Sequence, residues 1–384
     1  MLMEETAVDF GGIPGLSCFV DVFDRADLFD QIDNHTVVRL SSLGQKTGFS
    51  SVDAVQKSTG IAHRRILKHG VTSVDLATAV FDRLCSVSEF SPAEFPVVLL
   101  CHSGIHDQAA EQLAVALEDH YSLPPKTVLP FNFGCSGFLK LLLEGTMLLT
   151  DRRITKRIAL LNVETPETWH DGSDRLFCGI VSAGATGCVL SRNAGLPLSV
   201  VRAGDFMVPP ALRMNPDPLF RKETCKVFSF RGEPENRTVM RMNAETVFVN
   251  GIELMLNNLR SAVSSIDCQL GQRVIVIPHQ PSGKLLKALI AAARIEFPEF
   301  EFLNNLHNFG NTISAAVPTI MSRLPQVLFE NGCQPVRDGD LIILLVAGIC
   351  MHEIADHMSA GHACLEWVSS ERQVDSVETS AMLR

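Results

Sequence analysis

Phe131-Asn132-Phe133-Gly134-Cys135 returns later in the chain as His307-Asn308-Phe309-Gly310-Asn311, at an offset of 176 residues. Upstream, Leu99-Leu100-Cys101-His102-Ser103-Gly104 is echoed by Val276-Ile277-Pro278-His279-Gln280-Pro281-Ser282-Gly283, with the histidines 177 residues apart. Two matches at nearly one offset indicate an internal duplication, so the chain reads as two similar halves related by a pseudo-twofold. Around these loops, short β-rich runs alternate with longer helical patterns: 95–101 precedes 107–120, and 128–133 precedes 136–149. Further continuous apolar runs occupy 157–163, 187–190, 273–277 and 341–346. Buried, mostly parallel strands covered by helices on both faces produce this pattern, which predicts an α/β class. The division expected is 1–195, carrying Cys135, and 196–384, carrying His279 and Asn311. Between the halves, 204–242 is rich in Pro and Arg and lacks clean periodicity, predicting a long excursion and not a core element. Helical spacing resumes over 244–266, and the polar tail 369–384 is expected to be loosely held.

Composition narrows the function. The 384 residues are 46% hydrophobic and 20% charged, as in a globular protein with large buried cores and unlike a disordered chain. A net charge of -10 argues against general nucleic-acid binding. The first twenty residues contain Glu4, Glu5 and Asp9 and no basic opening, so no secretion signal is read there. The longest apolar run, 341–351, is too short to span a bilayer, and a cytoplasmic location is expected. The 11 cysteines form no CxxC pair or compact framework, which suits a reducing compartment.

Cys135 follows an apolar strand and a glycine and precedes an apolar helix. At such a position the helix macrodipole is expected to lower the thiol pKa and raise the thiolate fraction. His279 stands at the end of a strand, where open α/β sheets place their chemistry. The duplication relates the two histidine loops and also relates Cys135 to Asn311, so all four loops are expected to open near the pseudo-axis. Three other patterns fail on geometry or context. His352-Glu353 with His357 resembles a zinc-protease helix motif, but its histidines are five apart, about 140° around a helix, so no metal is expected. His102 and His106 have helical spacing but no third ligand. The order Cys, His, Asn is also that of papain-like peptidases, yet the cysteine surroundings differ and those enzymes are not duplicated.

Gly134-Cys135-Ser136-Gly137-Phe138, Pro278-His279-Gln280 and Gly310-Asn311-Thr312-Ile313-Ser314-Ala315-Ala316-Val317-Pro318 resemble the Cys, His and Asn motifs of β-ketoacyl-acyl-carrier-protein synthase III and its relatives, in order and spacing. Thr59-Gly60-Ile61 resembles that family's early threonine-glycine-isoleucine segment, so the likeness covers about 45–350. The resemblance implies a thiolase-like five-layered αβαβα fold, usually a homodimer, without a cofactor. It implies that Cys135 takes an acyl group from coenzyme A or an acyl carrier protein, and that His279 and Asn311 stabilise the enolate of a second thioester. Backbone N–H groups at Cys135, Gly348 and Ile349 would serve the acyl oxyanion. Where the family commonly has a tryptophan and an arginine for coenzyme A, this chain has Ala54 and Ser58, and the usual acidic-glycine loop reads Ser182-Ala183-Gly184-Ala185-Thr186-Gly187. These departures point to specialised lipid or polyketide metabolism. Docking of an acidic carrier protein on an acidic chain needs a local positive patch, for which Arg213, Arg221, Lys222 and Lys284 are candidates. Loss of function, as in thiolase-like partner subunits without the cysteine, is disfavoured by the presence of all three motif residues. The remaining alternative is transfer of the Cys-bound acyl group to an oxygen or nitrogen nucleophile.

Overall fold

A computed structural model describes residues 8–10, 14–44, 47–150, 157–192, 198–266, 272–351 and 356–368. The N-terminal half supplies β1 (Gly15–Asp21), α1 (Ser73–Ser88), β2 (Val98–Cys101), α2 (Gln108–Tyr121), β3 (Val128–Phe131), α3 (Gly137–Thr150), β4 (Arg157–Glu164) and β5 (Gly184–Ser191). The C-terminal half supplies β6 (Leu198–Val208), α4 (Ala244–Ser265), β7 (Val274–Pro278), α5 (Gly283–Glu296), β8 (Glu301–Phe302), α6 (Ala316–Ser322), β9 (Leu341–Ile349) and β10 (Met358–Trp367). Local chemistry starts these helices: Thr72 and Asp75 form a reciprocal capping box at α1, and Asn243 and Ser282 cap α4 and α5.

Outward from the centre the strands run β1-β5-β4-β2-β3 on one side and β6-β10-β9-β7-β8 on the other, the same order twice. β2 is parallel to β3 and β4, and β5 is antiparallel to β4; the matching strands of the second half repeat this. The half-sheets join where Gly15 and Leu16 pair with Ser199 and Leu198, and Val8 and Asp9 pair further along β6 with Ala203 and Arg202. α3 and α6 lie between them in one core with Leu160 and Leu190 from one half and Ile275 and Leu344 from the other. α1 and α2 cover the first half-sheet, and α4 and α5 the second. The fold is the five-layered αβαβα arrangement. β9 is buried along its whole length, which explains its unbroken apolar sequence.

The expected excursion is corrected. Its first residues complete β6, and 220–242 is a regular hairpin, Phe220–Phe228 against Pro234–Met242, in register from Phe220↔Met242 to Phe228↔Pro234. Leu219, Val227, Phe230 and Val239 are buried beneath it. Its arginines obscured the strand pattern because they are tethers. Arg231 reaches Asp30 and the Leu67 carbonyl, Arg237 the His170 carbonyl, and Arg241 both Asp171 and Asp174. The proposed boundary at 195/196, the tail 369–384, and His352 and Glu353 lie outside the described residues.

Candidate active site

Cys135 sits on a tight turn, Gly134–Ser136, between β3 and α3. Gly134 has φ +61°, and a Cβ there would stand 2.5 Å from the Ile349 carbonyl oxygen, so only glycine fits. At the end of β9, a Cβ on Gly348 would stand 2.5 Å from Cys135 Cβ and 3.0 Å from its Sγ. The two glycines let the cysteine turn and the end of β9 close on each other. Gly348 thus packs directly on Cys135, and the Ile349 carbonyl on Gly134.

The sequence-based expectation of an acidic thiol is corrected. Burial pushes the Cys135 thiol up to about 12, and the Glu164 carboxyl acts in the same direction. A helix end contributes about 0.3–1 kcal/mol, less than one pKa unit. The cysteine also lies in the turn before α3, not in its first α-helical turn.

His279 follows β7, its backbone N–H donating to the Leu345 carbonyl at 2.7 Å. Both ring nitrogens are buried and without a protein partner. Burial lowers the imidazole to about 3, so the ring is neutral and carries one N–H. Its duplicate, His102, instead bonds the Val163 carbonyl at 2.7 Å, a structural use of the same position. Asn311 is fixed at both ends: its Oδ1 accepts from the Ile313 N–H at 2.9 Å, and its Nδ2 donates to the Pro281 carbonyl of the histidine loop at 3.3 Å. That leaves one amide N–H of Asn311 to donate.

Cys135, His279 and Asn311 meet on the wall of one cavity of about 330 Å³. Phe177, Val181, Met240, Met242, Phe248 and Met255 make much of that wall apolar. Arg175 and Lys284 are exposed lining residues, and no lining residue is acidic, so on a chain of net charge -10 the entrance is locally positive. Arg221 and Lys222 are exposed on the hairpin. Arg213 is not a docking residue. Its side chain is 0% exposed, pairs with Asp356 at 2.8 Å and donates to the Pro216 and Asp217 carbonyls.

Several residues escaped the sequence reading. Arg175 lies over the Phe49 ring at the cavity, centroid distance 6.0 Å. Trp169 and His170 stand on the wall. Glu164, fully buried, accepts from Ser103 of one half and Ser314 of the other, and burial raises it to about 8. An acid ending the apolar run 157–163 was a readable signal for Glu164. Among the described residues no cluster of three or more His, Cys, Asp or Glu is placed to hold a metal, and no helix is long and apolar enough to cross a membrane.

Residues 267–352 match the family model of the 3-oxoacyl-[acyl-carrier-protein] synthase III C-terminal domain. Beta-ketoacyl-[acyl-carrier-protein] synthase III of Helicobacter pylori strain Shi470 is 22% identical over 296 residues, 77% of this chain and 86% of that protein. The crystal structure of 3-oxoacyl-(acyl carrier protein) synthase III from Pseudomonas aeruginosa PAO1 superposes with a TM-score of 0.69 at 18% identity, covering 93% of this chain and 99% of that one. The priming β-ketosynthase of the R1128 polyketide biosynthetic pathway gives 0.67 at 16% identity, covering 95% and 97%. The solved structures carry the fold, and the segment that bears His279 and Asn311 carries the sequence likeness: this chain is similar to β-ketoacyl-acyl-carrier-protein synthase III in fold and in that segment.

Proposed function

We propose that this protein condenses two acyl thioesters. The observation that carries the reading is the meeting of a cysteine, a neutral histidine with no protein partner and an oriented asparagine amide on one apolar cavity wall. In the first step Cys135 Sγ attacks the donor thioester carbonyl, its proton leaves on the released thiol, and the acyl group stays on sulfur. The oxyanion formed on the way is held by backbone N–H groups at Cys135, Gly348 and Ile349. In the second, a malonyl-type thioester loses carbon dioxide, and its enolate oxygen receives the His279 ring N–H and the free Asn311 N–H. The enolate carbon attacks the Cys135 thioester, forming a carbon–carbon bond and expelling the cysteine sulfur, which regains a proton. No cofactor enters this sequence.

The apolar wall suits an acyl chain, and the positive entrance suits an anionic thioester or the acidic carrier protein that would deliver it. A 3-oxoacyl thioester is a further candidate second substrate. A homodimer belongs to this reading, and sedimentation checks it. Intact-protein mass spectrometry after incubation with acyl thioesters tests the loading step: one acyl adduct is expected, absent from Cys135→Ala. An adduct on another cysteine would contradict the assignment. Carbon dioxide release with a malonyl thioester then separates condensation from acyl transfer to oxygen or nitrogen.

A further inference from the structure

The two half-reactions leave unused two buried polar groups of the cavity. Trp169 and His170 are neighbours on its wall, 6% and 1% exposed. Trp169 Nε1 and His170 Nδ1 are buried without a protein hydrogen-bond partner. An unpaired buried donor or acceptor is costly, so two on adjacent residues of a substrate cavity call for a physical account.

Both rings are held in place. His170 stacks on Phe177 with centroids 3.7 Å apart and planes 18° apart, and its ring centroid lies 4.0 Å from that of Trp169. The hairpin grips the backbone: the His170 carbonyl accepts from Arg237, and the Trp169 carbonyl accepts from the Met240 N–H at 3.2 Å. Neither ring is free to turn toward another partner. Burial, with the Arg237 charge acting in the same direction, keeps the His170 ring well below its ordinary pKa and therefore neutral. Indole N–H donates only, while a neutral imidazole nitrogen donates or accepts according to tautomer. A fixed donor beside an adaptable group, with apolar Phe177 and Met240 close by, matches an uncharged oxygen within a hydrocarbon chain better than an anion or an unbroken alkyl segment.

Resting on the acyl-loading reading above, we propose that Trp169 and His170 form a specificity subsite for a hydroxyl or keto oxygen on the acyl chain, so that the preferred donor is an oxygenated acyl thioester. Octanoyl-pantetheine and a series of hydroxy- and keto-octanoyl-pantetheines, with the oxygen moved along the chain, are titrated calorimetrically into Cys135→Ala protein. One oxygenated isomer is expected to bind about fivefold tighter than octanoyl, the worth of a net hydrogen bond. His170→Phe keeps the stacked ring and removes both nitrogens, and Trp169→Phe removes the indole N–H; each is expected to bring that ratio to within about twofold. As a readout independent of these variants, Trp367→Phe leaves Trp169 as the single tryptophan, and its emission is expected to shift with the preferred isomer and not with octanoyl. Equal binding across the series, a preference that survives both substitutions, or an unmoved Trp169 emission overturns the subsite. Octanoyl loading of Cys135 in otherwise unaltered protein separates the two readings. Loading without any oxygen preference removes the subsite alone, whereas neither loading nor binding by any thioester removes both.

Discussion

At the residue scale, the surroundings of His279 decide what it can do. A ring whose pKa is lowered to about 3 by burial accepts a proton only in strong acid, so near neutrality it serves as an N–H donor and not as a cation. Single-turnover condensation from pre-acylated Cys135 is therefore expected to show no histidine ionisation between about pH 5 and 8. An inflection near the ordinary histidine value that disappears in His279→Gln would contradict a neutral ring. His279→Ala or Asn311→Ala each removes one oxyanion donor and should slow condensation by about 10²–10³-fold, while the Cys135 adduct still forms. Blocked loading with an intact second step would reverse the roles assigned. The thiol itself is raised to about 12 by burial and by Glu164. Alkylation of Cys135 by iodoacetamide should accordingly accelerate as pH rises into the alkaline range. Glu164→Gln, which removes the like charge, should move that profile to lower pH. An unmoved profile would show that Glu164 only ties the two halves together through Ser103 and Ser314.

At the scale of elements, the 220–242 hairpin shapes the cavity. Met240 and Met242 line it, and Arg241 fastens it to the loop after β4 through Asp171 at 2.8 Å and Asp174 at 3.4 Å. Those carboxylates are 7% and 4% exposed, so Arg241→Ala leaves two nearly buried charges without their partner. The expected cost is about 3–5 kcal/mol. A lowered melting temperature should accompany a raised KM for the acyl donor, since the same loop carries Trp169 and His170. A thermal melt unchanged from the unaltered protein would show that the hairpin holds without this tether.

For the whole molecule, the contrast lies between a net charge of -10 and a cavity entrance with Arg175 and Lys284 and no acid. Lys284→Glu is expected to slow reaction with carrier-bound substrate, most steeply at low salt, while sparing a small thioester that needs no docking. Equal slowing of both would assign Lys284 to the site itself. Arg213→Ala should behave differently: its buried pairing with Asp356 predicts a loss of stability with no salt-dependent change in carrier reactivity. Thermal melts and stopped-flow measurements at two salt concentrations distinguish the two.

Much of this architecture is legible in one dimension, because burial on both faces forces unbroken apolar runs and because duplicated loops repeat their residues at one offset. Those two signals placed β2, β3, β4, β5, β7 and β9 within a few residues, though not β1, β6, β8 or β10, and they paired the histidine loops and set Cys135 opposite Asn311. Three features depended on tertiary structure. The hairpin was hidden because its arginines are spent on distant carboxylates and carbonyls, which no local periodicity reveals. Arg213 read as a surface charge until Asp356, 143 residues away, was found beside it. The Cys135 thiol illustrates the general reason: a helix dipole can be read from neighbours in sequence, but the desolvation that outweighs it comes from elements that only folding brings together.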